Sequence, residues 1–292
     1  MHRTALERHL RAARLPVVLL AIWMVVGGGS GFALDVSYTE SGKLLASDGG
    51  LGDEFGSSSD LDGDTLIVGA WLARNGPHEA GTATIFERDA QGSFREVAIL
   101  LAPDAGEHDH FGSAVAVSGE WAIVGAIDAD APWESAGAAY LFERDRGGPD
   151  NWGFAGKLTA VDGHENAWLG ASVDISGDTA IVGALGDNEQ ATAAGAAYVF
   201  QRDAGGPSNW GQVAKLMPVD GGSWDAFGGA VGISGDWVVV GASGNDDAET
   251  NAGAAYVHAR HAGGADRWGL VTKLLADDAS GDPRAARHPA DR

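Results

Sequence analysis

Residues 111–126 read FGSAVAVSGEWAIVGA. Ser113-Ala114-Val115-Ala116-Val117 alternates, with valines at 115 and 117 on one face and alanines at 114 and 116 on the other, as in a strand (A) with one face buried. Trp121 to Ala126 is almost continuously apolar, as in a short strand (B) buried on both faces. Ser118-Gly119 links the two, and glycine takes the positive φ that a tight hairpin demands. The passage is one of four copies. Val124-Gly125-Ala126 also occurs as Val68-Gly69-Ala70, Val182-Gly183-Ala184 and Val240-Gly241-Ala242, at intervals of 56, 58 and 58 residues. Phe111-Gly112 has counterparts in Phe55-Gly56, Leu169-Gly170 and Phe227-Gly228 at the same intervals.

Downstream the pattern continues. Gly137 to Phe142 matches Gly81 to Phe86, Gly195 to Phe200 and Gly253 to His258, a third strand (C) rich in β-formers. Lys157-Leu158, Lys215-Leu216, Lys273-Leu274 and Val97 to Leu101 mark a fourth (D), and Lys43-Leu44-Leu45 is a leading copy of it. Four-stranded units at a fixed period bury their faces only by stacking on one another. The expected fold is all-β: a β-propeller-like array of four four-stranded blades. The units span about 55–102, 111–160, 169–218 and 227–276, within a domain over 34–282, preceded by a strand over 43–48. A closed ring needs only one D strand at its seam, so strands over both 43–48 and 271–276 point to an incomplete ring with an edge open to self-association.

The chain has 292 residues, no cysteine, 45% hydrophobic residues and a formal charge of −22. The apolar content supports a folded core, and the lack of cysteine excludes disulfides, thiolate metal sites and a cysteine nucleophile. The acidic balance argues against a nucleic-acid partner. Arg3, Arg8, Arg11 and Arg14 precede an apolar run from Leu15 to Val26 and the small-residue boundary Gly31-Phe32-Ala33. Residues 1–33 therefore read as a secretory signal peptide cleaved after Ala33, leaving no membrane span in the mature chain. Residues 283–292 read as an unstructured tail.

Phe-Gly, then Val-Gly-Ala, then Gly-Ala-Ala-Tyr-Val-Phe in fixed order resemble the FG-GAP repeat of integrin-alpha-like β-propellers, in the bacterial branch with short Ser-Gly-Asp turns. The resemblance implies a propeller used for extracellular recognition. This chain departs from it in having four units where seven are usual, and in lacking the proline that follows Gly-Ala: Trp71, Ile127, Leu185 and Ser243 stand there. The calcium loop of integrin-like repeats is reduced here to a two-residue turn, so that site is not carried over.

Candidate chemistry lies in the other loops. The B–C loops hold Asp128, Asp130, Asp187, Asp246 and Asp247, candidate ligands for calcium. The B–C and D–A loops share one face in an up-and-down blade, and together they carry 19 carboxylates against one basic residue, Arg74. Trp133 and Trp224 lie on the same loops. His108 and His110 form a His-x-His pair with no third ligand evident in sequence. Trp152, Trp210 and Trp268 recur every 58 residues, as packing residues do. No Gly-x-Ser-x-Gly elbow, His-Glu-x-x-His helix or Walker loop is present. The expectation is a secreted, non-enzymatic recognition or surface protein whose partner is an extracellular protein or glycan. A propeller enzyme acting on polysaccharide and a structural fragment of a larger surface protein are the alternatives.

Overall fold

The computed structural model of the protein describes residues 42–74, 78–149 and 151–276. The expected signal peptide and the 283–292 tail lie outside the described residues. The described part belongs almost wholly to one compact unit, Leu44–Arg292.

Four antiparallel sheets of four strands follow one another, each a meander in chain order. The first holds β1 (Ser58–Asp62), β2 (Thr65–Ala70), β3 (Thr82–Arg88) and β4 (Phe94–Leu100). The second holds β5 (Phe111–Ser118), β6 (Trp121–Ala126), β7 (Ala138–Arg144) and β8 (Trp152–Leu158). The third holds β9 (Leu169–Ser176), β10 (Thr179–Ala184), β11 (Ala196–Arg202) and β12 (Trp210–Leu216). The fourth holds β13 (Phe227–Ser234), β14 (Trp237–Ala242), β15 (Ala254–Ala259) and β16 (Gly269–Leu274). The hairpin joining the first two strands of a sheet sits one residue later than the sequence reading placed it. Ser118 pairs with Trp121, so the turn is Gly119-Glu120, and the positive φ of 57° falls on its glycine alone. That is the requirement of a type II′ turn.

The expected strand over 43–48 does not form: residues 42–46 have no regular secondary structure and residues 47–48 lie in a turn. A D strand pairs with a C strand. Both candidates are taken, since β3 already carries β4 and β15 already carries β16. Ser47 instead hydrogen-bonds through its amide and hydroxyl to the carboxylate of Glu96, at 2.7 and 2.5 Å.

The sheets stack through their first strands, with β5 against β1 and β2, β9 against β5 and β6, and β13 against β9 and β10. Each junction has its own apolar core. Ile67, Ala83 and Ile85 of the first sheet meet Phe111, Ala122, Val124, Tyr140 and Phe142 of the second. The other face of the second sheet, with Ile123 and Leu141, meets Leu169, Val182 and Tyr198. Ile181 and Val199 of the third meet Phe227, Val240 and Tyr256 of the fourth. Phe111 and Phe227 are fully buried between sheets, as their recurrence implied; burying one such ring is worth about 1.5–3 kcal/mol. Among the described residues no ladder joins the first sheet to the fourth, so the propeller-like array is open.

The recurring glycines explain the spacing of the sheets. Between Phe111 and Ala114 the ladder of β5 against β6 bulges. The bulge carries Gly112, at φ 92°, onto the preceding sheet, where a Cβ would collide with the carbonyl of Thr82. A Cβ on Gly125 would likewise collide with the Gly170 carbonyl of the following sheet. The Phe-Gly and Val-Gly-Ala motifs are thus two halves of one backbone-to-backbone contact.

Candidate functional site

The B–C and D–A loops interlock. The amide of His108 donates to the carbonyl of His78 (2.9 Å), Asn166 to Glu134 (3.0 Å) and Trp224 to Thr192 (2.8 Å). Each D–A loop therefore leans on the B–C loop of the sheet before it. The backbone conformation repeats as well. Glu79, Ser135, Ala193 and Asn251 all have φ near 50°; His108, Asn166 and Trp224 lie at 56–70°; His110, Trp168 and Ala226 lie at 54–56°. Non-glycine residues adopt this region rarely, so one frame recurs while its side chains change from copy to copy.

Beneath this frame lies a repeated polar pin. Lys157 on β8 pairs with Asp104 at 2.7 Å, and Tyr140 on β7 donates to the same carboxylate at 2.9 Å. Lys273 pairs with Asp220 at 2.8 Å and with Asp247, while Tyr256 donates to Asp220 at 2.6 Å. At the third sheet Lys215 meets Asp162 (2.7 Å), Asp187 (2.9 Å) and Glu189 (2.6 Å). Burial works against a charge on Lys215, but these three carboxylates outweigh it and hold the ammonium above its usual pKa. Asp104 is the mirror case: burial raises it, yet hydrogen bonds from Lys157 and Tyr140 bring it below the ordinary carboxylate range. Burial, with Asp220 alongside, pushes Tyr256 up to about 12.

These lysines qualify the expected one-signed face. Its loops carry a single basic residue, but three ammonium groups reach it from the D strands, a contribution that a count over loop residues missed. The five B–C carboxylates also have individual tasks. Asp187 and Asp247 hold lysines, Asp130 accepts the Ser135 amide at 3.0 Å, Asp246 accepts the Asn251 amide at 2.6 Å, and Asp128 lies 2.6 Å from Nδ1 of His110. Trp133 and Trp224 remain more than half exposed on this face.

Carboxylates between the first strands have a separate role. Asp60 accepts the amide of Val117 at 2.8 Å, and Asp174 accepts that of Ile233 at 2.6 Å. Burial raises the pKa of Asp174, and the charge of Asp60 adds to this. Each of the two carboxylates thus binds the backbone of the next sheet. On the opposite face the recurring tryptophans pack under arginines: the Arg144 guanidinium lies 4.9 Å from the Trp152 ring centre and Arg260 lies 5.3 Å from that of Trp268.

Among the described residues, one group of three His, Asp or Glu side chains has ligand atoms all within 4.8 Å of one another: Glu79, His108 and His110. The sequence reading found the histidines and missed Glu79, which stands 29 residues before His108 on the neighbouring sheet's loop. Only the fixed lean of one loop on the next brings it there.

No helix among the described residues is long and apolar enough to cross a membrane. No curated protein matches the chain. Among solved structures it is similar to Sqt1 from Chaetomium thermophilum, with 13% identity and a TM-score of 0.45 over 71% of this chain and 44% of that one, so it spans less than half of that protein's length. The model of the FG-GAP repeat matches residues 38–86, 94–142, 152–200 and 210–258. From the second match on, each begins on the last strand of one sheet and ends on the third strand of the next, so the unit straddles the junction that the paired glycines close. With four such matches covering well over half of its length, the chain belongs to the FG-GAP repeat family.

Proposed function

We propose that the protein is a secreted, non-enzymatic recognition module that binds an extracellular protein or glycan through its B–C and D–A loop face. The observation that carries this reading is the repeated loop frame. Three successive junctions share one backbone conformation and one hydrogen-bonding scheme while presenting different side chains. Loops that vary on a rigid scaffold are where binding residues concentrate. The exposed rings of Trp133 and Trp224 are anchors of the type that dominates binding energy. Excess carboxylate favours basic or cation-bridged partners. Export rests on the charge and apolar pattern of residues 1–33.

Direct measurements test the reading. Intact mass of secreted protein should give a chain starting at Leu34. A glycan array and a surface pull-down with that mature protein should identify a partner, whose binding falls at least about tenfold on Trp133→Ala with Trp224→Ala, hot-spot residues being worth that much. Replacing Asp128, Asp130, Asp246 and Asp247 by Asn, with and without calcium, reports whether a cation takes part. Binding untouched by these changes but abolished by substitutions at Arg88 and Arg202 on the opposite face would overturn the assignment.

A further inference from the structure

We propose that Glu79, His108 and His110 form a binding site for a borderline transition-metal cation, Zn²⁺ foremost, at the junction of the first and second sheets. The ligand atoms already lie within 4.8 Å of one another. Donors in a tetrahedral zinc shell stand about 3.4 Å apart, given metal–ligand distances of about 2.1 Å. Small rotations of the exposed His108 ring close the remaining gap. Two imidazoles and one carboxylate select zinc-like ions over calcium or magnesium, which take oxygen shells.

The surroundings are those of a prepared ligand set. His110 is largely buried, with its Nδ1 fixed 2.6 Å from Asp128 Oδ2. That arrangement leaves Nε2 for a metal and supplies the carboxylate behind the imidazole that metal-bound histidines commonly have. The Trp71 ring, 4.8 Å away between centres, walls the imidazole on one side, and its Nε1 donates to Glu54 at 2.7 Å. Glu79 is held at both ends: Oε1 lies 3.3 Å from the Arg74 guanidinium and Oε2 lies 3.0 Å from His108 Nδ1. Arg74 leaves Oε2 as the available donor, so Glu79 binds through one oxygen. Three protein ligands on an exposed face leave a fourth position for water or for a donor group of a partner.

The repeat provides internal controls. The same three backbone positions are Ser135, Asn166 and Trp168 at the next junction, and Ala193, Trp224 and Ala226 at the one after, all at positive φ. The frame therefore folds without metal-binding side chains. Its carrying three of them at one junction is a local property that fold maintenance does not require.

The test is titration of the untagged mature protein with Zn²⁺ against a chromophoric chelator, with Co²⁺ absorption reporting coordination. One equivalent should bind, and Co²⁺ should give the intense visible bands of a four-coordinate site. His108→Asn and His110→Trp import the residues of the next junction, so the fold is kept, and each should abolish stoichiometric binding. Asp128→Asn should weaken it by about 10- to 100-fold, as loss of such an orienting carboxylate does. Conversely, Ser135→Glu with Asn166→His and Trp168→His should add a second equivalent. Absence of saturable binding to the wild-type protein, or binding that survives His108→Asn and His110→Trp together, overturns the proposal.

Discussion

The second and fourth sheets have nearly the same sequence pattern and end in different environments. β6 is buried at every position, with sheets on both sides of it. β14 alternates, its Val238 and Val240 buried and its Trp237 and Val239 exposed, because only one sheet packs on it. The glycines record the same difference. A Cβ on Gly125 or Gly137 would strike the backbone of the third sheet, whereas one on Gly241 or Gly253 would meet no atom closer than 3.4 Å. The repeat thus writes both halves of a junction into every unit, and the half facing outward from the fourth sheet is not used within the described residues. Identical motifs have unequal energetic weight, and position in the array decides which copy matters.

The largest expected effect tests the glycine contact. Gly125→Ala should separate the second and third sheets and cost upwards of about 4 kcal/mol, the range of severe core disruption. Gly241→Ala should stay within about 0.5 kcal/mol, as an unobstructed substitution does. Urea unfolding of the two variants decides it, and equal costs would break the comparison. The aromatic pair is the next test. Trp121 is buried and meets Trp210 edge-on at 5.3 Å, while Trp237 is 53% exposed. Trp121→Ala should cost about 3–5 kcal/mol and Trp237→Ala under about 1 kcal/mol, read as midpoint shifts at unchanged slope.

The polar pins grade in the same way. Lys215→Met leaves Asp187, with only 2% of its side chain exposed, as a buried charge without its cation, and should cost about 3 kcal/mol. Lys157→Met strands Asp104, which is half exposed, and should cost about 1 kcal/mol or less. Asp104, Asp162 and Asp220 are all held below the ordinary carboxylate pKa, with burial opposed and outweighed by lysine hydrogen bonds. Their contribution is complete above about pH 4, the unfolded value, and is lost as pH falls further. Acid melts of the wild type should therefore steepen below pH 4, and a Lys215→Met melt should steepen less.

Repetition made the architecture legible. A two-residue turn, a doubly apolar strand and a fixed period left stacked four-stranded sheets as the arrangement that buries every face, and the sheets follow that order. The leading strand at 43–48 was misread because a motif copy signals membership of the repeat, while a strand also needs a free ladder partner. The loop face was legible in its carboxylates and not in its lysines, since Lys157, Lys215 and Lys273 belong by sequence to strands and reach the loops only through side-chain length. Glu79 could not be paired with His108 from the chain alone. The signal available was that all three of these residues interrupt the repeat, where Ser135, Asn166 and Trp168 stand in the next copy.

The smallest expected effect concerns a departure from the repeat inside the fourth sheet. His258 occupies the position of Phe142 and Phe200, 4% exposed, with its ring centre 6.3 Å from that of Phe227. Its Nδ1 has no hydrogen-bond partner. Burial holds its pKa below the usual 6.5, and the neighbouring Tyr256 backbone offsets only part of this. The folded state therefore favours the neutral ring. Above about pH 6.5 neither state carries the proton, and the residue adds no pH dependence. As pH falls below that value, the unfolded chain takes up a proton that the folded chain resists, and stability drops. His258→Phe restores the repeat residue, removes the unsatisfied nitrogen and removes this slope. It should stabilise by about 1 kcal/mol at pH 7.5, the scale of one relieved buried polar group, and by more at pH 5.5. Paired urea melts at the two pH values measure it, and an advantage that does not grow on acidification would show that His258 is not the group being titrated.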